Sequence, residues 1–366
     1  MKVFERNIWC VLGLPFDAYD LNGAVAFIRQ SIRTSDKCFL STPNLNFIIG
    51  AQNDDGFYNS VVDSHLSIAD GMPIVWVAKF LGIPLTERVA GSSLFDELVV
   101  DREGSDQPIK VFFFGGEEGV AERAHMKLNE LNSNVTSCGF YGPGFVSVER
   151  MSSSEIIENI NAQEPDFVLV ALGAKKGQQW IQKNLEILNC SVVSHLGAVI
   201  NFTAGGVARA PSLWQRYGFE WLWRIKQEPG LLKRYVGDGL SFSQLFLMRV
   251  IPLAICNKIF KLFLLEDNKF SAIKNINTLS LEGDLTVDNS ELIQSNFSML
   301  LDETANDDII IDLRAVTFMD GNFIALLLIL QRELNVKNRQ LRLVRMPFRI
   351  KIILYLNCVN KRFVYG

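Results

Sequence analysis

From the N-terminus to about residue 200, short and wholly apolar runs alternate with longer stretches in which apolar residues recur at helical spacing. "CFLSTPNLNFII" (38–49) reads as a strand, a turn and the start of a helix. "IKVFFFGGEEGVAERAHMKL" (109–128) is an apolar strand, a glycine turn and an amphipathic helix, and "EPDFVLVALGAKKGQQWIQKNL" (164–185) repeats the scheme. "CSVVSHLGAVINF" (190–202) adds another buried strand. Strands without polar alternation must be covered on both faces, so the pattern predicts a Rossmann-like α/β domain: a mostly parallel sheet with helices on both sides. Such sheets bind ligands beyond the carboxyl ends of their strands. The candidates for that rim are Asp70 in "SIADGMPIVW" (67–76), the turn of Gly115, Gly116 and Gly119, the Gly173 turn, and Gly197.

Elsewhere the pattern differs. Lys2 and Arg6 precede a short apolar run that superficially looks like a signal peptide, but Gly13 and Pro15 break it, it ends at Asp17, and no small-residue cleavage site follows. A first strand is the better reading. Residues 205–235 interleave Arg209, Arg216, Arg224, Lys226, Lys233 and Arg234 with Trp214, Trp221 and Trp223. Such a run is either a solvated face with aromatic packing or a clamp for an anion such as a diphosphate. "FSQLFLMRVIPLAICNKIFKLFLL" (242–265) is apolar but interrupted by Arg249, Lys258 and Lys261, and Pro252 is expected to kink it. It reads as a buried interdomain helix or as one lying on a membrane face, not as a spanning helix. From about residue 276, strands and helices alternate again in a small separate domain. The expected division is 1–204 for the sheet domain, 205–265 for a basic, aromatic and apolar cap, and 276–366 for the last domain.

Composition narrows the chemistry. A chain of 366 residues, 48% hydrophobic and 21% charged, can bury sizeable cores. A net charge of -4 argues against nucleic acid as a partner. The six cysteines are scattered without CxxC or metal-ligand spacing, as buried thiols of a reducing cytosol would be. No Asp-x-Asp triplet occurs, and His65, His125 and His195 have no ligand spacing, so no metal or cofactor is expected and each histidine reads as structural. The glycine turn lacks the full dinucleotide fingerprint, which leaves a nucleotide-dependent oxidoreductase weakly supported.

"STPNLNFI", "IADGMPIVWVAKFLGIPLTERVAGSSLFDEL", "FFFGGEEGVAERA", "FVLVALGAKKGQQWI" and "LGAVINFTAGGVARAPSLWQRYGFEWLWRIKQEP" resemble, in order and spacing, motifs of the WecG/TagA/CpsF glycosyltransferase family over about residues 8–240. The resemblance implies an inverting enzyme, cytoplasmic and peripheral at the inner face of the membrane. It would move an N-acetylmannosamine-type or related hexose from a UDP-sugar to a polyprenyl-pyrophosphate-linked sugar in cell-surface polysaccharide synthesis. It makes Asp70 the base, places Thr42 and Asn44 in the same pocket, and assigns Arg88 to the diphosphate. Gly115, Gly116, Gly173, Arg209, Arg216 and Arg224 complete the expected binding set. The family's Pro-Lys-Gln-Glu is here Lys175, Lys176, Gly177 and Gln178, so a ligand-contacting Gln is replaced by Gly177 and a Glu by Gln178, with Gln178 or Gln179 as a stand-in.

"IIIDLRAVTFMD" (309–320) resembles a STAS domain, but Gly321 and Asn322 occupy the loop that usually carries a phosphorylatable Ser. Docking of a protein partner or of a second copy is the expected role. The competing reading of the whole chain is a non-catalytic scaffold that binds sugar nucleotide or membrane and recruits partners through this domain.

Overall fold

A computed structural model describes residues 4–100, 107–131, 133–206, 209–211, 213–214, 218–263, 270–304 and 307–366. The chain forms two compact units, one of Tyr19–Val75 with Thr86–Gly239, the other of Met1–Ala18, Trp76–Leu85 and Leu240–Gly366. In chain order the strands are β1 (Ile8–Val11), β2 (Leu14–Asp17), β3 (Cys38–Ser41), β4 (Leu66–Ser67), β5 (Ile109–Gly115), β6 (Val135–Tyr141), β7 (Phe167–Ala171), β8 (Val192–His195), β9 (Ser271–Asn275), β10 (Thr278–Leu285), β11 (Ile309–Met319), β12 (Leu341–Val344) and β13 (Val364–Tyr365).

The first unit holds a six-stranded sheet in the order β4-β3-β8-β7-β5-β6, parallel at every pairing. Successive side chains of a strand point to opposite faces, and here both faces are apolar. Val111, Phe113, Phe167 and Leu169 enter one buried layer, while Phe112, Phe114, Val168 and Val170 enter the other. Each layer is closed by helices, including Leu21–Thr34, Gly91–Val100 and Val120–Glu130 on one side and Ser154–Ala162 and Ala174–Asn184 on the other. The parallel register sets the carboxyl ends of all six strands along one edge. Asp70, Thr42, Gly115, Gly173 and His195 follow or end those strands.

The second unit holds a five-stranded sheet, β13-β12-β11-β10-β9, antiparallel only between β9 and β10. Its helix Gly321–Val336 is buried along most of its length and starts at Asp320, whose carboxylate accepts from the Phe323 N–H at 3.0 Å. The N-terminal strand was expected within the sheet domain of residues 1–204. Instead β1 and β2 form a separate antiparallel hairpin in this second unit, packed on helix Gly321–Val336. Leu12 and Gly13 turn with positive φ at both positions, 50° and 95°, the geometry of a tight two-residue hairpin. Arg6, which precedes β1, is buried and donates to the Asp17 carboxylate at 2.9 and 2.6 Å. Asn322 Nδ2 donates to the Ile8 carbonyl at 2.9 Å, and a Cβ on Gly321 would stand 3.2 Å from the Cys10 carbonyl oxygen. The start of this helix is therefore occupied by the chain's own hairpin. Asn322→Ala, which removes a buried donor, is expected to cost the second unit about 1–3 kcal/mol, read as a shift of its urea transition.

Between residues 229 and 260 the backbone is continuously helical, long and apolar enough to cross a membrane by length and composition, with 11% of its most apolar window buried. Ahead of Pro252, where a kink was expected, the helix makes one wide turn over Phe246–Val250. Proline has no N–H and crowds the carbonyl four residues earlier, and a wide turn at that point relieves both. Leu232, Val236, Leu240, Leu247, Met248, Ile255 and Ile259 stand exposed along it. Of the cysteines, Cys10, Cys38 and Cys190 are buried as expected, and Cys138, Cys256 and Cys358 are only partly covered. Burial pushes the Cys10 and Cys190 thiols up to about 12.

Candidate active site

Three loops of the first unit meet around Asp70. Strand β3 ends in Ser41, and its carbonyl accepts from the Ile68 N–H at 3.0 Å, while the Pro43 carbonyl accepts from the Asp70 N–H at 3.0 Å. These bonds stitch the Thr42-Pro43-Asn44 turn to the loop after β4. Gly71 packs on Asn44 closely enough that a Cβ there would lie 3.7 Å from its Cα and Cβ. Asn44 itself caps helix Leu45–Asn53, its side-chain oxygen accepting from the Phe47 N–H at 3.3 Å. Thr42 is buried, and its methyl lies 3.6 Å from where a Cβ on Gly91 would be.

The third loop runs through Arg88 to Gly91, the first residue of helix Gly91–Val100. The Gly91 N–H donates to the Asp70 carboxylate, as an N-terminal helix amide is placed to do. Burial pushes the Asp70 carboxyl up to about 6, with Arg88 opposing, Glu220 adding, and the Gly91 N–H and Arg224 opposing again. A carboxyl held there is ionised at neutral pH yet basic enough to take a proton from a hydroxyl.

Arg88 has a partner that the sequence reading missed. Its guanidinium grips the Glu220 carboxylate with two bonds, Nη1 to Oε2 at 2.7 Å and Nη2 to Oε1 at 3.0 Å. Glu220 opens helix Glu220–Gln227, which also carries Arg224. The reading of residues 205–235 weighed their cations and tryptophans and passed over the two carboxylates among them, Glu220 and Glu228. Arg209 donates to Ser92 Oγ at 2.9 Å and Ser93 Oγ at 3.3 Å and pairs with Asp96, so it is seated against helix Gly91–Val100. Thus Arg88, Arg209, Glu220 and Arg224 gather near Asp70, while Arg216 lies outside the described residues.

The glycine positions are set by backbone demands. Gly115 has φ 101°, and a Cβ on it would stand 2.5 Å from the Ala171 carbonyl oxygen. The Gly116 N–H already donates to that oxygen at 2.7 Å, so this amide is occupied by the sheet rather than presented to an anion. Gly173 has φ 79° and starts helix Ala174–Asn184 with open space around its α-carbon. Gln178 departs from expectation: it is fully buried, and its amide is engaged by Ser41, Nε2 donating to Oγ at 3.0 Å. It ties that helix to the last residue of β3. Among the described residues, no three His, Cys, Asp or Glu side chains gather as a metal site would require.

The family model for the "Glycosyl transferase WecG/TagA/CpsF family" matches residues 9–253, and a STAS domain model matches residues 270–361. An "N-acetylglucosaminyldiphosphoundecaprenol N-acetyl-beta-D-mannosaminyltransferase" of Bacillus spizizenii is 32% identical over 197 residues, 51% of this chain and 74% of that protein. A Staphylococcus aureus protein of the same name is 24% identical over 229 residues, covering 61% and 87%. The chain therefore belongs to the WecG/TagA/CpsF family: it is a glycosyltransferase with a C-terminal STAS domain.

Proposed function

We propose that this member of the WecG/TagA/CpsF family transfers an N-acetylmannosamine-type or related hexose from a UDP-sugar to a sugar carried on a polyprenyl diphosphate, with inversion, for cell-surface polysaccharide synthesis. The observation that carries this reading is the Asp70 carboxyl, pushed up to about 6 at the strand rim and set among Arg88, Arg224 and the Gly91 amide. Asp70 takes the proton of the acceptor hydroxyl as that oxygen bonds to the anomeric carbon. The bond from that carbon to the diphosphate breaks, and UDP leaves with the electron pair. Arg88 and Arg224 offset the charge that develops on the leaving diphosphate. Glu220 holds Arg88 in the fork geometry that a diphosphate would take over.

The acceptor's lipid fits the exposed apolar helix over 229–260, which would rest on the inner face of the cell membrane from the cytoplasm. The second unit would serve protein docking. Purified protein given a panel of UDP-sugars and a short-chain lipid acceptor tests the reading: acceptor-dependent UDP release supports it, and donor binding without release would assign the chain a scaffold's role instead.

The reaction is proposed to need no metal, since Arg88 and Arg224 stand beside Asp70 and, among the described residues, no three His, Cys, Asp or Glu side chains gather as a metal site would require. Turnover is expected to stay within about twofold in excess EDTA, the margin of a step that metal does not assist. Loss of turnover restored by magnesium or manganese would overturn this.

A further inference from the structure

Gly177 stands where the family resemblance places a ligand-contacting Gln, and the structure shows what fills the vacated volume. A Cβ built on Gly177 would lie 2.2 Å from His195 Cδ2 and 2.8 Å from its Cγ. No side chain at 177 is compatible with the imidazole where it sits. On the other side Gly197 makes room, since a Cβ there would come within 3.3 Å of Nε2 and 3.5 Å of Cε1. The ring thus lies between the first turns of helices Ala174–Asn184 and Gly197–Thr203, at the carboxyl end of β8.

This place adjoins the site. The next residue, Leu196, packs so tightly on Gly91 that a Cβ there would stand 2.4 Å from Leu196 Cδ2, and Gly91 is the residue whose amide holds Asp70. The residue is only partly covered, yet its Nε2 is buried with no hydrogen-bond partner among the described residues. Burial pushes the ring down to about 4, so it is neutral at neutral pH and suited to uncharged groups rather than to phosphate. An unpaired ring nitrogen inside a protein is costly, and a ligand group that pairs with it removes the cost.

We propose that His195, seated in the notch left by Gly177, reads an uncharged hydrogen-bonding group of the nucleotide-sugar donor, a hydroxyl or an amide, in place of a side chain at position 177. The assignment rests on the reading of the chain as a UDP-sugar transferase. It makes His195 a specificity-determining contact and turns an apparent loss at 177 into an exchange of one polar reader for another. The sequence reading took His195 as structural because its packing against a glycine of the preceding helix leaves no trace in local spacing.

The test compares the full-length protein with His195→Phe, which keeps a ring but removes both nitrogens, and with His195→Gln, which restores hydrogen bonding. Turnover is measured with UDP-N-acetylmannosamine, UDP-N-acetylglucosamine and UDP-glucose, and binding of UDP alone by calorimetry. His195→Phe is expected to lower kcat/KM for the preferred donor by about 10- to 100-fold and to flatten the ranking of donors, with UDP affinity unchanged; His195→Gln recovers part of the loss. An unchanged ranking in His195→Phe, or equal losses for every donor and for UDP, would overturn the proposal. Should that variant not fold, the double substitution Gly177→Gln with His195→Gly refills the notch from the helix side. It is expected to fold and to change which donor ranks first, and an unaltered ranking counts against His195. Wild-type protein that binds none of the UDP-sugars overturns the transferase reading itself, whereas a wild type that ranks donors while the variants rank them identically overturns only the role of His195.

Discussion

Asp70→Asn is expected to lower acceptor-dependent turnover by about two to four orders of magnitude, the span typical of losing a general base, while donor affinity stays within a few fold. The amide keeps the size of the side chain and can still accept from the Gly91 N–H, so the loop geometry survives and only basicity is removed. The pH profile supplies an independent check. The Asp70 carboxyl is pushed up to about 6 by burial, and it acts only when ionised, so kcat/KM should rise with pH through an acidic limb near 6 and level off above it. The residual activity of Asp70→Asn should lack that limb. Near-normal turnover in this variant, or an unchanged limb, would remove the carboxylate from the mechanism.

What could be read from the sequence follows from what is local. The six-stranded sheet was legible because "VFFF", "FVLVA" and "SVVSH" are apolar at consecutive positions, and only a sheet covered on both faces accepts that pattern. Asp70 was legible as a rim candidate because it follows an apolar run and precedes Gly71 in a turn, whereas its role as base came from the family resemblance. The hairpin of β1 and β2 was not placed correctly, since a short apolar strand looks the same whichever partner it pairs with, and its bond to Asn322 spans 314 positions. Gln178 was misread for a related reason. The family motif offered it as a stand-in for a ligand-contacting side chain, yet the helical turn carries it inward to Ser41. Glu220 was passed over because the segment was read for its cations and tryptophans, although its two bonds to Arg88 link the cap to the rim within one unit. The wide turn before Pro252 belongs to the same class: the sequence announces a conflict at the proline, and the backbone decides how it is resolved.

Ending the chain at residue 204 is expected to abolish transfer to a lipid acceptor, by at least about three orders of magnitude, while leaving a sheet that still melts cooperatively. Both apolar layers of the first unit are complete at Ala204, which closes one of them, so the buried area that drives folding of the sheet is retained. What is lost is specific: Arg209, seated on Ser92 and Ser93; Glu220, the partner of Arg88; Arg224, which bears on the charge of Asp70; and the apolar helix over 229–260. The hairpin of β1 and β2 loses helix Gly321–Val336 in the same cut, but no residue assigned to the site lies in it. A chain ending at 275 keeps every one of those groups and is expected to retain its turnover and its binding to liposomes. Liposome flotation and acceptor-dependent UDP release on the full chain and on both shortened chains separate the possibilities. Full turnover and full membrane binding by the chain ending at 204 would refute the link between the cap and the site. Loss of turnover on removing only the residues after 275 would instead make the STAS domain, through the hairpin it carries, part of the assembled enzyme.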